Sequence, residues 1–92
     1  MLTVHVRITG RVQGVGYRAW TVDHASRADL TGWVRNRSDG SVEAVFQGNE
    51  EAIKAFLLKC KEGPRFAKVY SVKSENVENS EIFAKFAHKT TI

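Results

Sequence analysis

Apolar and polar residues alternate one for one at the start of the chain, with Leu2, Val4, Val6 and Ile8 against Thr3, His5, Arg7 and Thr9. A period of two predicts a strand with one face on a core. The alternation breaks at Gly10-Arg11-Val12-Gln13-Gly14-Val15-Gly16-Tyr17-Arg18. Beyond the break Tyr17, Trp20, Thr21, His24, Ala25 and Ala28 recur at spacings of three and four, the face of an amphipathic helix that ends at Asp29. Residues 30–37 return to alternation, with Leu30, Gly32, Val34 and Asn36 on one side. Ser38-Asp39-Gly40 is a tight-turn signal, and residues 41–47 resume with Val42, Ala44 and Phe46 in phase. The two runs read as a hairpin.

A second helix follows. Asn49 suits an N-cap, Glu50 and Glu51 complement the dipole, Ile53, Phe56, Leu57 and Cys60 form the apolar face, and Gly63-Pro64 ends the helix. Residues 66–73 read as a fourth strand, residues 74–80 as a polar loop, and residues 82–88 as a last strand. The order strand, helix, strand, strand, helix, strand plus a short final strand predicts an α+β fold. Its expected form is a ferredoxin-like two-layer sandwich, βαββαβ plus the extra strand, with two helices on one face of a mostly antiparallel sheet.

Composition narrows the function classes. The 92 residues suit a single domain over 1–92, with 42% hydrophobic and 26% charged residues. The net charge of +4 favours anionic ligands, but the basic residues are dispersed. No nucleic-acid partner is expected. One cysteine, no membrane-length apolar run and no leader pattern predict a cytoplasmic protein without a membrane partner.

Candidate chemistry concentrates in the glycine-rich stretch. Glycines at 10, 14 and 16 allow a sharply folded loop whose N–H groups converge, just before a helix N-terminus. Gly14-Val15-Gly16-Tyr17-Arg18-Ala19 formally matches a dinucleotide fingerprint, yet the hairpin after the helix is foreign to that parallel sheet. No Lys-Ser/Thr pair ends the loop as a nucleoside-triphosphate loop would require. What remains is an anion nest with Arg18 at its lip, or a glycine turn with solvated arginines. Arg18 at a helix start opposes the dipole, and a bound dianion would reverse that sign. Asn36, an amide on the core-facing side of its strand, either takes part in a site or simply opens the turn.

Other reactive types carry less. Cys60 and His24 read as packed side chains, and His5 and His88 make no metal-ligand spacing. Trp20, Trp33 and the phenylalanines suit core and sheet packing, and residues 40–46 lack the paired aromatics of an RNA-recognition motif.

In combination, the 10–18 stretch, Leu30-Thr31-Gly32-Trp33-Val34-Arg35-Asn36-Arg37 and Asp39-Gly40-Ser41-Val42-Glu43-Ala44-Val45-Phe46-Gln47-Gly48 closely resemble the acylphosphatase family. Gly63-Pro64 and residues 67–72 resemble its later segment, so the likeness spans nearly the whole chain. The resemblance implies an enzyme that hydrolyses the carboxyl-phosphate anhydride of small acyl phosphates to a carboxylate and inorganic phosphate. It implies that Arg18 binds the phosphoryl group and Asn36 holds the attacking water. Backbone N–H groups of Val12, Gln13, Gly14, Val15, Gly16 and Tyr17 are then expected to bind phosphoryl oxygens. No cofactor or metal is expected, and a monomer is. Departures are Tyr17 where the family more often has Phe, Gly16 where some members are bulkier, Asp29 where a glycine is usual, and the ending Phe86-Ala87-His88-Lys89. The competing class is a non-catalytic anion- or RNA-binding module of the same fold.

Overall fold

The protein is described by a computed structural model covering residues 1–78 and 81–92. The elements run β1 (Leu2–Arg11), α1 (Tyr17–Arg27), β2 (Thr31–Asn36), β3 (Val42–Gly48), α2 (Glu50–Cys60), β4 (Lys68–Asn76) and β5 (Phe86–His88). They form one five-stranded sheet in the order β4-β1-β3-β2-β5. The β4–β1, β1–β3 and β3–β2 pairs are antiparallel, and β5 adds parallel to β2. Two helices on a mostly antiparallel sheet, in the expected order, make the ferredoxin-like sandwich.

The core lies where the sheet's apolar face meets the helices. Val4, Val6 and Ile8 of β1, Val34 of β2, and Val42, Ala44 and Phe46 of β3 pack with Tyr17 and Ala25 of α1 and with Ile53, Phe56 and Cys60 of α2. These are the residues the two periodicities selected, and burying a large apolar side chain stabilises by about 1.5–3 kcal/mol. Cys60 is a buried, free thiol, and burial pushes its pKa up to about 12.

The helix starts differ. Asn49 caps α2, its Oδ1 accepting from Glu51 N–H at 2.8 Å, and Glu50 and Glu51 occupy the first turn. The start of α1 has no side-chain cap and no acidic residue in its first turn. At the other end, α1 closes in a Schellman motif, with Leu30 N–H donating to Ala25 O at 3.0 Å and Asp29 N–H to Ser26 O at 3.1 Å. Asp29 takes the left-handed conformation, φ +59°.

Three expectations need correction. β4 runs on to Asn76, so residues 74–76 are strand; Ser74, Glu75 and Asn76 face Val6, His5 and Val4 across β1. An edge strand is held by backbone bonds, and its polar side chains stand in solvent. Residues 79 and 80 of the expected loop lie outside the described residues. The last strand is only Phe86–His88, and its start at 82 is not borne out. Phe66 is 70% exposed in the turn before β4, where Arg65 lies over its ring, and Trp33 sits half-buried between Arg35 and Lys89. Neither ring belongs to the core.

Candidate active site

The loop between β1 and α1 begins at Val12, which is 1% exposed and anchors the turn in the core. Gly14 and Gly16 then adopt φ +73° and +80°, with nothing within 4 Å of where a Cβ would stand. Glycine is required here by conformation, not by crowding. Two left-handed residues so close together turn the backbone into a concave ring. Among the described residues, no backbone carbonyl accepts from the N–H groups of residues 13–19. The first helical bond is Trp20 N–H to Gly16 O at 3.0 Å. The donors that α2 satisfies with Asn49 are left open in α1.

A cavity of about 230 Å³ opens at this ring, walled by Val12, Gln13, Gly14, Gly16, Tyr17, Arg18, Ala19, Asn36 and His88. Arg18, in the first turn of α1, has no carboxylate within salt-bridge distance among the described residues. Unpaired N–H groups, a positive helix end and a free guanidinium converge, which is an arrangement for an anion.

Asn36 is the last residue of β2, on the same side of the strand as buried Leu30 and Val34. Its Oδ1 is buried and, among the described residues, has no hydrogen-bond partner. A buried amide oxygen normally finds a donor, so this one, at a cavity wall, is an acceptor open to a donor that enters the cavity. Its position is well held: Asn36 pairs with Val42 of β3, and its carbonyl accepts from Ile92 N–H at 3.3 Å.

Seven of the eight residues singled out from the sequence meet at this cavity: Arg18, Asn36, Val12, Gln13, Gly14, Gly16 and Tyr17. Val15 is not in its wall; its side chain packs against the core. The Gln13 side chain is also otherwise engaged, its Nε2 donating to Arg37 O at 2.7 Å and to Ser41 O at 2.9 Å. Tyr17 is 1% exposed, and its hydroxyl donates to Cys60 O at 2.7 Å. Burial holds that phenol well above its ordinary range. It joins the start of α1 to the end of α2.

His88 is the residue that sequence reasoning passed over. It closes one side of the cavity because parallel pairing places it beside Val34, near the end of β2. Its sequence offered no signal beyond being a histidine in a short strand. His5 and His24 lie elsewhere, His5 against Glu43 at 2.6 Å and His24 beside Lys59 at 3.3 Å. Among the described residues, no group of three or more His, Cys, Asp or Glu is placed to hold a metal ion.

Comparison with known proteins gives a consistent result. The family model for Acylphosphatase matches residues 4–88. A curated acylphosphatase of Rhodospirillum rubrum is 56% identical over 69 residues, 75% of this chain and 76% of its own. One of Alcanivorax borkumensis is 43% identical over 88 residues, 96% of both chains. The crystal structure of acylphosphatase from Bacillus subtilis superposes with a TM-score of 0.93 at 36% identity, covering 97% of this chain and 99% of that one.

Proposed function

The chain belongs to the acylphosphatase family, and from that premise we propose that the cavity between Arg18 and Asn36 is where a water attacks a bound phosphoryl group. The activity is acylphosphatase, hydrolysis of the carboxyl-phosphate anhydride of small acyl phosphates. The observation that carries the assignment of the site is the orphaned, buried Asn36 Oδ1 in the same cavity wall as an unpaired Arg18.

An acyl phosphate already has a good leaving group, so the protein needs to supply position and charge stabilisation. The N–H groups of Val12, Gln13, Gly14, Val15, Gly16 and Tyr17 ring the non-bridging oxygens, and Arg18 gives them charge-assisted bonds. Asn36 Oδ1 accepts an O–H of the water and aims its lone pair at phosphorus. The new P–O bond forms as the bond from phosphorus to the carboxylate oxygen breaks. Asn36 takes no proton, so the water's proton passes to a phosphoryl oxygen, leaving a carboxylate and inorganic phosphate. The chemistry uses groups of this chain, the substrate and the attacking water.

The reading includes one domain over residues 1–92, acting as a monomer in the cytoplasm without nucleic acid. It is supported by a family match that runs over residues 4–88 and by a buried free cysteine. Among the described residues, no helix is long and apolar enough to cross a membrane. Hydrolysis of benzoyl phosphate in ¹⁸O-water tests the mechanism: label is expected in inorganic phosphate. Label in benzoate would mean attack at the acyl carbon and would overturn it, and absence of turnover would favour the anion-binding module.

A further inference from the structure

Gln13 lies in the loop expected to bind phosphoryl oxygens and lines the cavity, yet its side-chain amide nitrogen is engaged elsewhere. Both hydrogens of its Nε2 are committed, to Arg37 O at 2.7 Å and to Ser41 O at 2.9 Å. Those two carbonyls bracket the β2–β3 turn. Arg37 N–H donates to Ser41 O at 2.9 Å, and Gly40 N–H to Arg37 O at 3.1 Å. Asp39 Oδ1 stiffens the same turn from within, accepting from Ser41 N–H at 2.9 Å and from Ser41 Oγ at 2.6 Å. The Arg37 side chain is held on the opposite face of the sheet, its Nη1 donating to Glu43 Oε1 at 2.8 Å. The turn is a rigid unit, and Asn36 enters it directly.

No other side chain of residues 12–16 can grip that unit. Val12, Gly14, Val15 and Gly16 have no polar side chain. The two halves of the site lie on different elements, the N–H ring ahead of α1 and Asn36 at the end of β2, and an in-line attack depends on their separation. A misplacement of about 1 Å costs on the order of a hundredfold in rate.

We propose that Gln13 is a positioning residue that sets the distance between the phosphoryl cradle and the water-holding Asn36, by clipping the loop to the β2–β3 turn. This rests on the site reading above. The role is that of the side chain, whose two amide hydrogens are spent on the turn and not on substrate; the backbone N–H of Gln13 stays in the cradle.

The test is a double-mutant cycle on benzoyl phosphate hydrolysis. Gln13→Met keeps reach and volume but removes both donors. It is expected to lower kcat about tenfold or more, while the inhibition constant of inorganic phosphate stays within about threefold because cradle and Arg18 remain. In the Asn36→Ala background the same change is expected to lower the residual rate by less than about twofold, because the partner it positions is gone. Full additivity would make Gln13 a general stabiliser and overturn the proposal, leaving the site reading in place. An Asn36→Ala protein with undiminished kcat would overturn both. Gln13→Glu keeps the test open if the Met variant does not fold. Its carboxylate has no proton to give near neutral pH, and below about pH 5 the acid regains one donor. The ratio of its kcat to that of the unaltered protein is expected to climb as pH falls through that range, and a flat ratio would count against the clip.

Discussion

Asn36 and Arg18 wall the same cavity from the end of β2 and the first turn of α1, and among the described residues the buried amide oxygen has no donor and the guanidinium no carboxylate. Two unmet groups of opposite polarity across one cavity are destabilising on their own. They become favourable when a phosphoryl dianion and a water fill the space. The local cost of these two groups and the activity proposed for them thus have a common origin.

Arg18→Ala is expected to cut kcat/KM for benzoyl phosphate by about 10²–10³, or some 3–4 kcal/mol of transition-state stabilisation. Inorganic phosphate should raise the Tm of the unaltered protein by mass action, and the variant should lose most of that increase. Activity that survives the substitution largely intact would exclude Arg18 from phosphoryl binding.

Asn36→Ala separates function from stability. The amide oxygen has no partner to lose, so chemical denaturation should show a change within about 0.5 kcal/mol, or a gain. kcat should fall while phosphate still inhibits. Lost inhibition with an unchanged kcat would assign Asn36 to anion binding and not to the water.

Much of this site was legible because the relevant signals are local. Gly14, Gly16 and Arg18 stand within five consecutive residues, and the parity of β2 alone places Asn36 on the inner side. What was not legible depends on contacts between distant segments. His88 reaches the cavity through a three-residue parallel pairing, and a run that short has no periodicity to read. Gln13 looked like any other residue of the loop until its amide met Arg37 and Ser41. Glu43 falls on the polar phase of β3, yet it is only 6% exposed because His5, Arg35 and Arg37 close over it. Alternation reports which face a side chain takes, and it is silent about what covers that face.

Tyr17→Phe should destabilise the fold by about 1–2 kcal/mol, since the Cys60 carbonyl loses its buried donor at 2.7 Å. For a chain of this size that is a fall in Tm of about 5 °C or more. An unchanged melting curve would show that Cys60 O finds another donor at no cost.

Glu43 should govern part of the acid limb of the stability curve. Burial of the carboxyl would raise its pKa, but hydrogen bonds from His5, Arg35 and Arg37 outweigh it and hold the pKa at about 2, below the ordinary 4.5. A depressed folded-state pKa gives stability that is complete above about 4.5 and is lost as pH falls toward 2. The loss should be about 2 kcal/mol, read from denaturation midpoints across that window. Glu43→Gln should be less stable at neutral pH, where Arg35 and Arg37 lose their shared partner, and it should lack this component of the acid slope. An identical slope in the variant would move the titration to other carboxylates.

Asp29 offers a stabilising change at no cost to the site. It holds φ +59° at the position after α1 where the Schellman motif asks for a left-handed residue. A Cβ in that conformation costs about 1–2 kcal/mol for an ordinary L residue, less for Asp, whose short polar side chain tolerates it, and nothing for glycine. Glycine gives back part of the gain through its freer unfolded chain. The net expectation is therefore an order, with Asp29→Gly equal to or about 0.5 kcal/mol above the unaltered protein and Asp29→Ala about 1 kcal/mol below it. Denaturant midpoints with unchanged slopes would read this directly. Because Asp29 lies at the opposite end of α1 from Arg18, kcat should not move in either variant. Should Asp29→Ala match Asp29→Gly, left-handed strain would not be what sets the cost at this helix end, and the two backbone bonds from Asp29 and Leu30 would carry the turn by themselves.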